Sequence, residues 1–282
     1  MRYLFLHVPK TAGSMFRSIV QRNFGTESAI ENPLLSTQIY TTQDIESLFE
    51  LYPYRIYSGH VFRLLPAQAA CDGRLQLIAF VRDPIEKARS AYYYLAGRDM
   101  TRSDHPTKQR TFIEMVDFVT ANGIEDQFVM DSSQLDWLVG KSGAVVGDVE
   151  ASVTDGRLLL LPTEHFDQAC VLLERLFAQD FTDCSYGRRQ NTSSKGGEGM
   201  LESERAAAAR LPWIERDAAL HDLACSTMDA LARQVFPTPE HFEEAMLDFH
   251  SRCAERERKE RGPQKDLSLL RRVARRAMGL VR

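Results

Sequence analysis

His7-Val8-Pro9-Lys10-Thr11-Ala12-Gly13-Ser14-Met15 joins two very different stretches of chain. Before it, Arg2-Tyr3-Leu4-Phe5-Leu6 is apolar apart from its first residue, the composition of a short buried strand. After it, Met15, Phe16, Ile19, Val20 and Phe24 recur at helical spacing and give a helix one buried face, with Asn23-Phe24-Gly25 as its stop. The pattern is therefore strand, tight loop, helix. Such a loop offers backbone N–H groups at the positive end of a helix dipole, which suits an anion. Lys10 adds a full positive charge, and Gly13 lets the backbone come close to a ligand. The spacing is not that of a Walker A loop, which needs Gly-x-x-x-x-Gly-Lys-Ser/Thr; here Lys10 precedes Ser14 by four residues, with no glycine before it. The plainer reading is a strand-to-helix turn capped by Ser14.

A second stretch repeats the pattern. Leu75-Gln76-Leu77-Ile78-Ala79-Phe80-Val81 reads as another apolar strand and runs into Arg82-Asp83-Pro84. Asp83 is suited to cap a helix, and Pro84 falls at the first helical position, where its missing N–H costs nothing. Arg82 then sits at the carboxyl end of a strand, where open α/β sheets bind ligands, and Ser90 lies about two turns into the helix.

These two motifs, in this order and each behind an apolar strand, resemble those of the sulfotransferases that use 3′-phosphoadenosine 5′-phosphosulfate (PAPS), in particular the carbohydrate branch that includes the heparan sulfate 2-O-sulfotransferases. Pro9, Lys10, Thr11, Ala12, Gly13, Ser14 and Met15 look like that family's 5′-phosphosulfate loop, and Arg82 with Ser90 like its 3′-phosphate motif. More weakly, residues 157–177 are similar to the family's next strand and Thr-Glu-led helix. Arg189-Gln190-Asn191-Thr192-Ser193 resembles the late loop that closes over the nucleotide, with Asn191 and Ser193 as contacts. The segment Ser133-Gln134-Leu135-Asp136-Trp137-Leu138 departs from the family pattern by carrying Ser133 and Asp136 where Asn and Arg are usual, so no acceptor contact is assigned there; Lys87 likewise replaces the more usual Arg. The likeness covers about residues 1–195.

The resemblance implies in-line transfer of a sulfuryl group from PAPS to a hydroxyl of a carbohydrate acceptor, releasing PAP, with no metal. Arg55-Ile56-Tyr57-Ser58 reads as a short strand ending at Gly59-His60, on the same side of the sheet as the Lys10 loop. A histidine in a similar Gly-His context is the base in the carbohydrate sulfotransferases, which makes His60 the candidate base and Lys10 the candidate stabiliser of the leaving phosphate. His7 is the rival base; His105, in a polar loop, is a poor one. Two other classes stay open: a P-loop kinase acting on a small molecule, and a non-catalytic module that binds PAP or another nucleotide.

Composition sets the outer bounds. At 282 residues and 44% hydrophobic content the chain is long and apolar enough for a large α/β core. Net charge is −4, yet residues 251–282 carry 11 Lys/Arg against 4 Asp/Glu, so a basic tail sits on an acidic body. An acidic body argues against general nucleic-acid binding. The five cysteines are widely spaced, without a Cys-x-x-Cys pair, and read as reduced thiols rather than zinc ligands or disulfides. The first apolar run ends at Val8, and no run approaches the ~20 apolar residues of a membrane span. Golgi members of the resembled family carry such an anchor, so the resemblance implies a cytoplasmic, bacterial enzyme, or a trimmed catalytic domain.

Along the chain, residues 26–40 read as loop. Thr42-Gln43-Asp44-Ile45-Glu46 opens a short helix capped by Thr41 or Thr42, and the helix after Arg82 runs to about Ala96 with Gly97 as stop. Three consecutive tyrosines, Tyr92, Tyr93 and Tyr94, cannot share one helix face, so core packing is favoured over base stacking. Further helices are expected around Phe112, Leu135, residues 145–153 and Cys170, and from Met200 the chain is helical, with breaks at Pro237 and Gly262-Pro263. The last segment sets Leu267, Leu270, Val273 and Ala277 against Arg271, Arg272, Arg275 and Arg276: a basic amphipathic helix that docks on the acidic body or a dimer partner, is simply solvated, or lies on the inner face of an anionic membrane, the first two being the plainer readings. The expectation is an α/β, P-loop-like three-layer fold: a central, mainly parallel sheet of about four to five strands flanked by helices, plus a helical C-terminal extension. Residues 1–250 are assigned to the catalytic domain and 251–282 to the tail.

Overall fold

The apolar runs in front of the two motifs become neighbouring strands. In the computed structural model, which describes residues 1–30, 39–52, 54–70, 75–96, 110–122, 133–187 and 200–261, β1 (Arg2–Leu6) pairs in parallel with β4 (Leu75–Val81), Leu6 opposite Ala79. On its other side β1 pairs with β3 (Ile56–Gly59), Leu6 opposite Gly59. β2 (Ser28–Ile30) and β5 (Leu158–Pro162) extend the sheet, giving the order β2-β3-β1-β4-β5 with every pairing parallel. All carboxyl ends therefore lie along one edge. The chain winds to one side of β1 through β2 and β3, then to the other through β4 and β5. That reversal opens a crevice between the β1 and β4 ends, the ligand position of open α/β sheets.

The strands are near-continuous apolar runs because both faces are covered. All seven residues of β4 are buried. Leu77, Ala79 and Val81 point into one cluster, Ile78 and Phe80 into the other. The first cluster is closed by α2 (Thr42–Leu51), α3 (Leu64–Ala70), α6 (Gln134–Val139) and α7 (Gly147–Thr154). The second is closed by α1 (Gly13–Phe24) and α8 (Phe166–Leu176), with Phe16, Ile19, Val20 and Phe24 as the predicted apolar face of α1. α10 (Ile214–Val235) lies against β5 and serves both, Leu220 in one cluster and Met228 in the other. α11 (Pro239–Arg261) packs on α8 and runs unbroken through residue 250. A third cluster gathers α4 (Pro84–Ala96), α5 (Phe112–Asn122) and α9 (Glu202–Ala208).

The architecture is thus α/β, a five-stranded parallel sheet flanked by helices. Two elements differ from the expectation. β2 arises inside residues 26–40, which read as loop, because a three-residue edge strand is too short to show a period. α3 was not anticipated; its seven residues carry Pro66 in the first turn, which masks a helical signal. Tyr92 is core, as expected, bonding its hydroxyl to the Arg110 carbonyl at 2.7 Å, while Tyr94 is exposed. Gly97, the loop with His105, Asn191, Ser193 and the basic segment 262–282 fall outside the described residues. Among the described residues no helix is long and apolar enough to cross a membrane, and no three His, Cys, Asp or Glu gather as a metal site.

Candidate active site

The loop after β1 is held open by its own backbone. Thr11 is fully buried and donates its hydroxyl to the Val8 carbonyl at 2.8 Å. Lys10 and Ala12 both take left-handed conformations, with φ of 68° and 60°. Neither is a glycine, so each position costs on the order of 1 kcal/mol that the surrounding fold must offset. Backbone strain of this kind gathers where a loop must present its amides in a set direction. No side chain caps α1, which corrects the view of Ser14 as its cap. The Ala12 carbonyl accepts from Met15 at 3.0 Å and Phe16 at 3.1 Å. Gly13 has a duty the sequence did not suggest: a Cβ there would fall inside the imidazole of His7.

His7 is buried, stacked between Phe5 and His60, the two imidazoles 3.9 Å apart. His60 Nδ1 lies 2.8 Å from the His7 carbonyl. A carbonyl only accepts, so Nδ1 carries the hydrogen and Nε2 keeps its lone pair. Burial, with the Arg17 and Arg63 guanidiniums nearby, outweighs that bond and lowers the His60 pKa to about 4. Burial also holds His7 well below the usual imidazole value, helped by His60 and Arg17. Both rings are neutral at pH 7. Arg17, on the first turns of α1, reaches Ser58 Oγ of β3 at 3.4 Å, and Arg63 lies over the Trp137 ring at 4.1 Å. Sequence reasoning passed over both arginines.

The β4 end is built more rigidly. Gln134 brackets the Arg82 peptide unit, accepting from its N–H at 2.8 Å and donating to its carbonyl at 2.7 Å. Gln134 is itself fixed by Asp217, fully buried on α10, whose carboxylate accepts from Ser133 Oγ (2.5 Å) and the amides of Gln134 (2.7 Å) and Leu135 (3.1 Å). Neither residue was expected. The one visible signal is a carboxylate in the apolar stripe Ile214, Asp217, Leu220, Ala224. Asp83 caps α4 as predicted, accepting from the Glu86 amide at 2.8 Å. The Arg82 guanidinium lies between two carboxylates, 3.8 Å from Glu86 and 3.9 Å from Glu164. Glu164, just past β5, also accepts from the Asp83 amide at 3.0 Å and pairs with His221 at 2.9 Å.

The β1 and β4 ends meet through Lys10, whose ammonium sits 3.9 Å from the centre of the Tyr94 ring. Tyr94 is one turn beyond Ser90 on α4, and residues four apart share a helix face. The loop after β1 therefore reaches the face of α4 that carries Ser90, on the helix that Arg82 leads. Among the described residues, buried polar atoms without a hydrogen-bond partner include His7 Nδ1 after β1, Thr163 Oγ1 after β5 and the Nε1 of Trp137, whose ring stands edge-on to His60; Trp213 Nε1, in the third cluster, is another and lies away from the sheet. The arrangement is a crevice with Lys10 and Arg82 along it, the carboxylates of Glu86 and Glu164 beside Arg82, and a neutral imidazole at one side: groups that can hold an anion and accept a proton.

No known family profile and no curated protein matches the sequence. Among solved structures, the chain is similar to the mouse sulfotransferase SULT7A1 complexed with PAP, at 15% identity and a TM-score of 0.41, covering 88% of each chain. A superposition that loose leaves function to the geometry of the site.

Proposed function

We propose that this chain is a sulfotransferase that moves the sulfuryl group of PAPS to a hydroxyl, with a sugar as the acceptor. The observation that supports the reading is the Lys10–Tyr94 contact at 3.9 Å, which sets the loop after β1 against the helix that Arg82 leads, one turn beyond Ser90. In this reading the strained loop offers the backbone amides of Thr11 to Ser14 to the 5′-phosphosulfate, the Met15 amide being held by the Ala12 carbonyl. Arg82 and Ser90 take the 3′-phosphate, a contact that separates PAPS from ATP, which has none. The acceptor oxygen attacks sulfur in line as the bond from sulfur to the bridging phosphate oxygen breaks. The electron pair stays on that oxygen, where the Lys10 ammonium meets it. The hydroxyl proton passes to Nε2 of His60, whose tautomer supports the role. Burial is the larger cause of the low His60 basicity, and the negative charge of the donor would offset only the part due to Arg17.

The Gly59-His60 motif and the resemblance of both loops to the carbohydrate branch support a sugar acceptor. The test is transfer of radiolabelled sulfate from PAPS to a panel of glycans, lipids and phenols. Label on glycans alone upholds the reading. Label on phenols or lipids alone keeps the sulfotransferase and removes the sugar. Magnesium-dependent ATP hydrolysis without sulfate transfer would replace it with a kinase.

A further inference from the structure

Arg82 presents a problem for any anion. Its guanidinium is flanked by Glu86 at 3.8 Å and Glu164 at 3.9 Å, so an arriving phosphate competes with two carboxylates already in place. One of the two is answered from behind. His221, on α10, places Nε2 2.9 Å from Glu164 Oε2, while the other carboxylate oxygen faces Arg82 and the Asp83 amide. The bond from His221 to Glu164, with Glu164, Asp83 and Asp222 close by, keeps the His221 pKa above the ordinary 6.5 despite partial burial. Burial pushes Glu164 up, but the bonds from His221 and the Asp83 amide outweigh it and hold the carboxyl below its usual range. Cys225, one turn along α10, lies 3.9 Å from the imidazole; burial raises its thiol pKa, so it adds no charge at neutral pH.

We infer that His221 is a positioning residue for anion binding: its charged form neutralises Glu164 and frees Arg82 for a phosphate, and its neutral form returns Glu164 to Arg82. The inference rests on Arg82 as the 3′-phosphate ligand. The sequence gap of 57 residues between Glu164 and His221 shows that the pair is made by the fold, by α10 lying along β5. The coupling runs both ways: an anion at Arg82 that prefers charged His221 must raise the affinity of His221 for its proton.

The probe is PAP, with its affinity measured by calorimetry from pH 6.5 to 9. Over most of that window a phosphate monoester is already doubly charged and His7 and His60 are neutral. Affinity should fall about fivefold as His221 loses its proton. His221→Gln should bind at the weaker level throughout, and Glu164→Gln, which keeps an acceptor for the Asp83 amide, at the stronger level throughout, both without the pH step. A purely structural role would weaken both variants and leave the step in place, which overturns the inference. Should either variant fail to fold, proton NMR of the wild-type histidines decides: PAP should raise the His221 pKa, and an unchanged value refutes it. If wild-type protein binds no PAP at any pH, the donor reading falls; if it binds PAP with parallel profiles in wild type and His221→Gln, only the role of His221 falls.

Discussion

Lys10 and Gly13 divide the work of the first loop, and each can be tested alone. In the proposed reaction Lys10 meets charge that appears only as the phosphate leaves, so Lys10→Ala should lower kcat by roughly 100- to 1000-fold while changing PAP affinity far less. Equal losses in both would make Lys10 a binding residue. Gly13→Ala forces a methyl into the volume of the His7 ring, and overpacking of this kind costs about 1–3 kcal/mol. Chemical denaturation should show that loss, and an unchanged midpoint would mean that His7 swings aside freely. His60 carries a pH prediction. Its native pKa of about 4 lies below the 6.5 of the unfolded chain, so the native state binds fewer protons between those values. The stability it supports is complete above pH 6.5 and is lost as pH falls toward 4, on the order of 3 kcal/mol in all. His7, lowered by the same burial, acts in the same direction. Urea melts at pH 7.5 and 4.5 should show the drop, and His60→Gln should lessen it; equal slopes in both proteins would contradict the account.

At the scale of elements, α6 and α10 make the Arg82 turn rigid. Asp217→Ala leaves the Ser133 hydroxyl and the buried Gln134 amide without their acceptor and takes one of two from the Leu135 amide, at a cost of about 3 kcal/mol, and should loosen the N-terminus of α6. Gln134→Ala should spare more stability and weaken PAP binding, because it unfastens only the Arg82 peptide unit. Amide exchange at Leu135 and Arg82 would report both effects; protection equal to wild type would remove α6 from the site. These contacts also mark where sequence reading stopped. The Asp83 cap and Pro84 at the first helical turn are local, three residues or fewer apart, and were legible, as was a threonine cap on α2, which the structure assigns to Thr41 of the two candidates. The bracket from Gln134 spans 52 residues and the pairs at Asp217 span over 80, distances at which one sequence holds no periodic signal.

Across the whole molecule, the legible part was the set of buried strands. Runs such as Leu75-Gln76-Leu77-Ile78-Ala79-Phe80-Val81 are near-continuously apolar, as strands of a parallel sheet covered on both faces are. Strand order is a tertiary outcome: β1 at the centre follows from α1 and α4 leaving on opposite windings, not from anything local. The Lys10 loop and the Arg82 turn were legible because each couples a strand end to a helix start; the histidine and carboxylate groups around them become a site only when β3, β5 and α10 arrive. The central claim is that two loops on adjacent strands hold the two ends of one adenosine donor. Calorimetry of PAP against ADP, in wild type and Arg82→Ala, tests it most directly. The account predicts one PAP per chain, bound at least tenfold more tightly than ADP, with the preference lost in Arg82→Ala as charge-assisted bonds worth roughly 1.5–3 kcal/mol disappear. Equal affinity for PAP and ADP in the wild-type protein would contradict it.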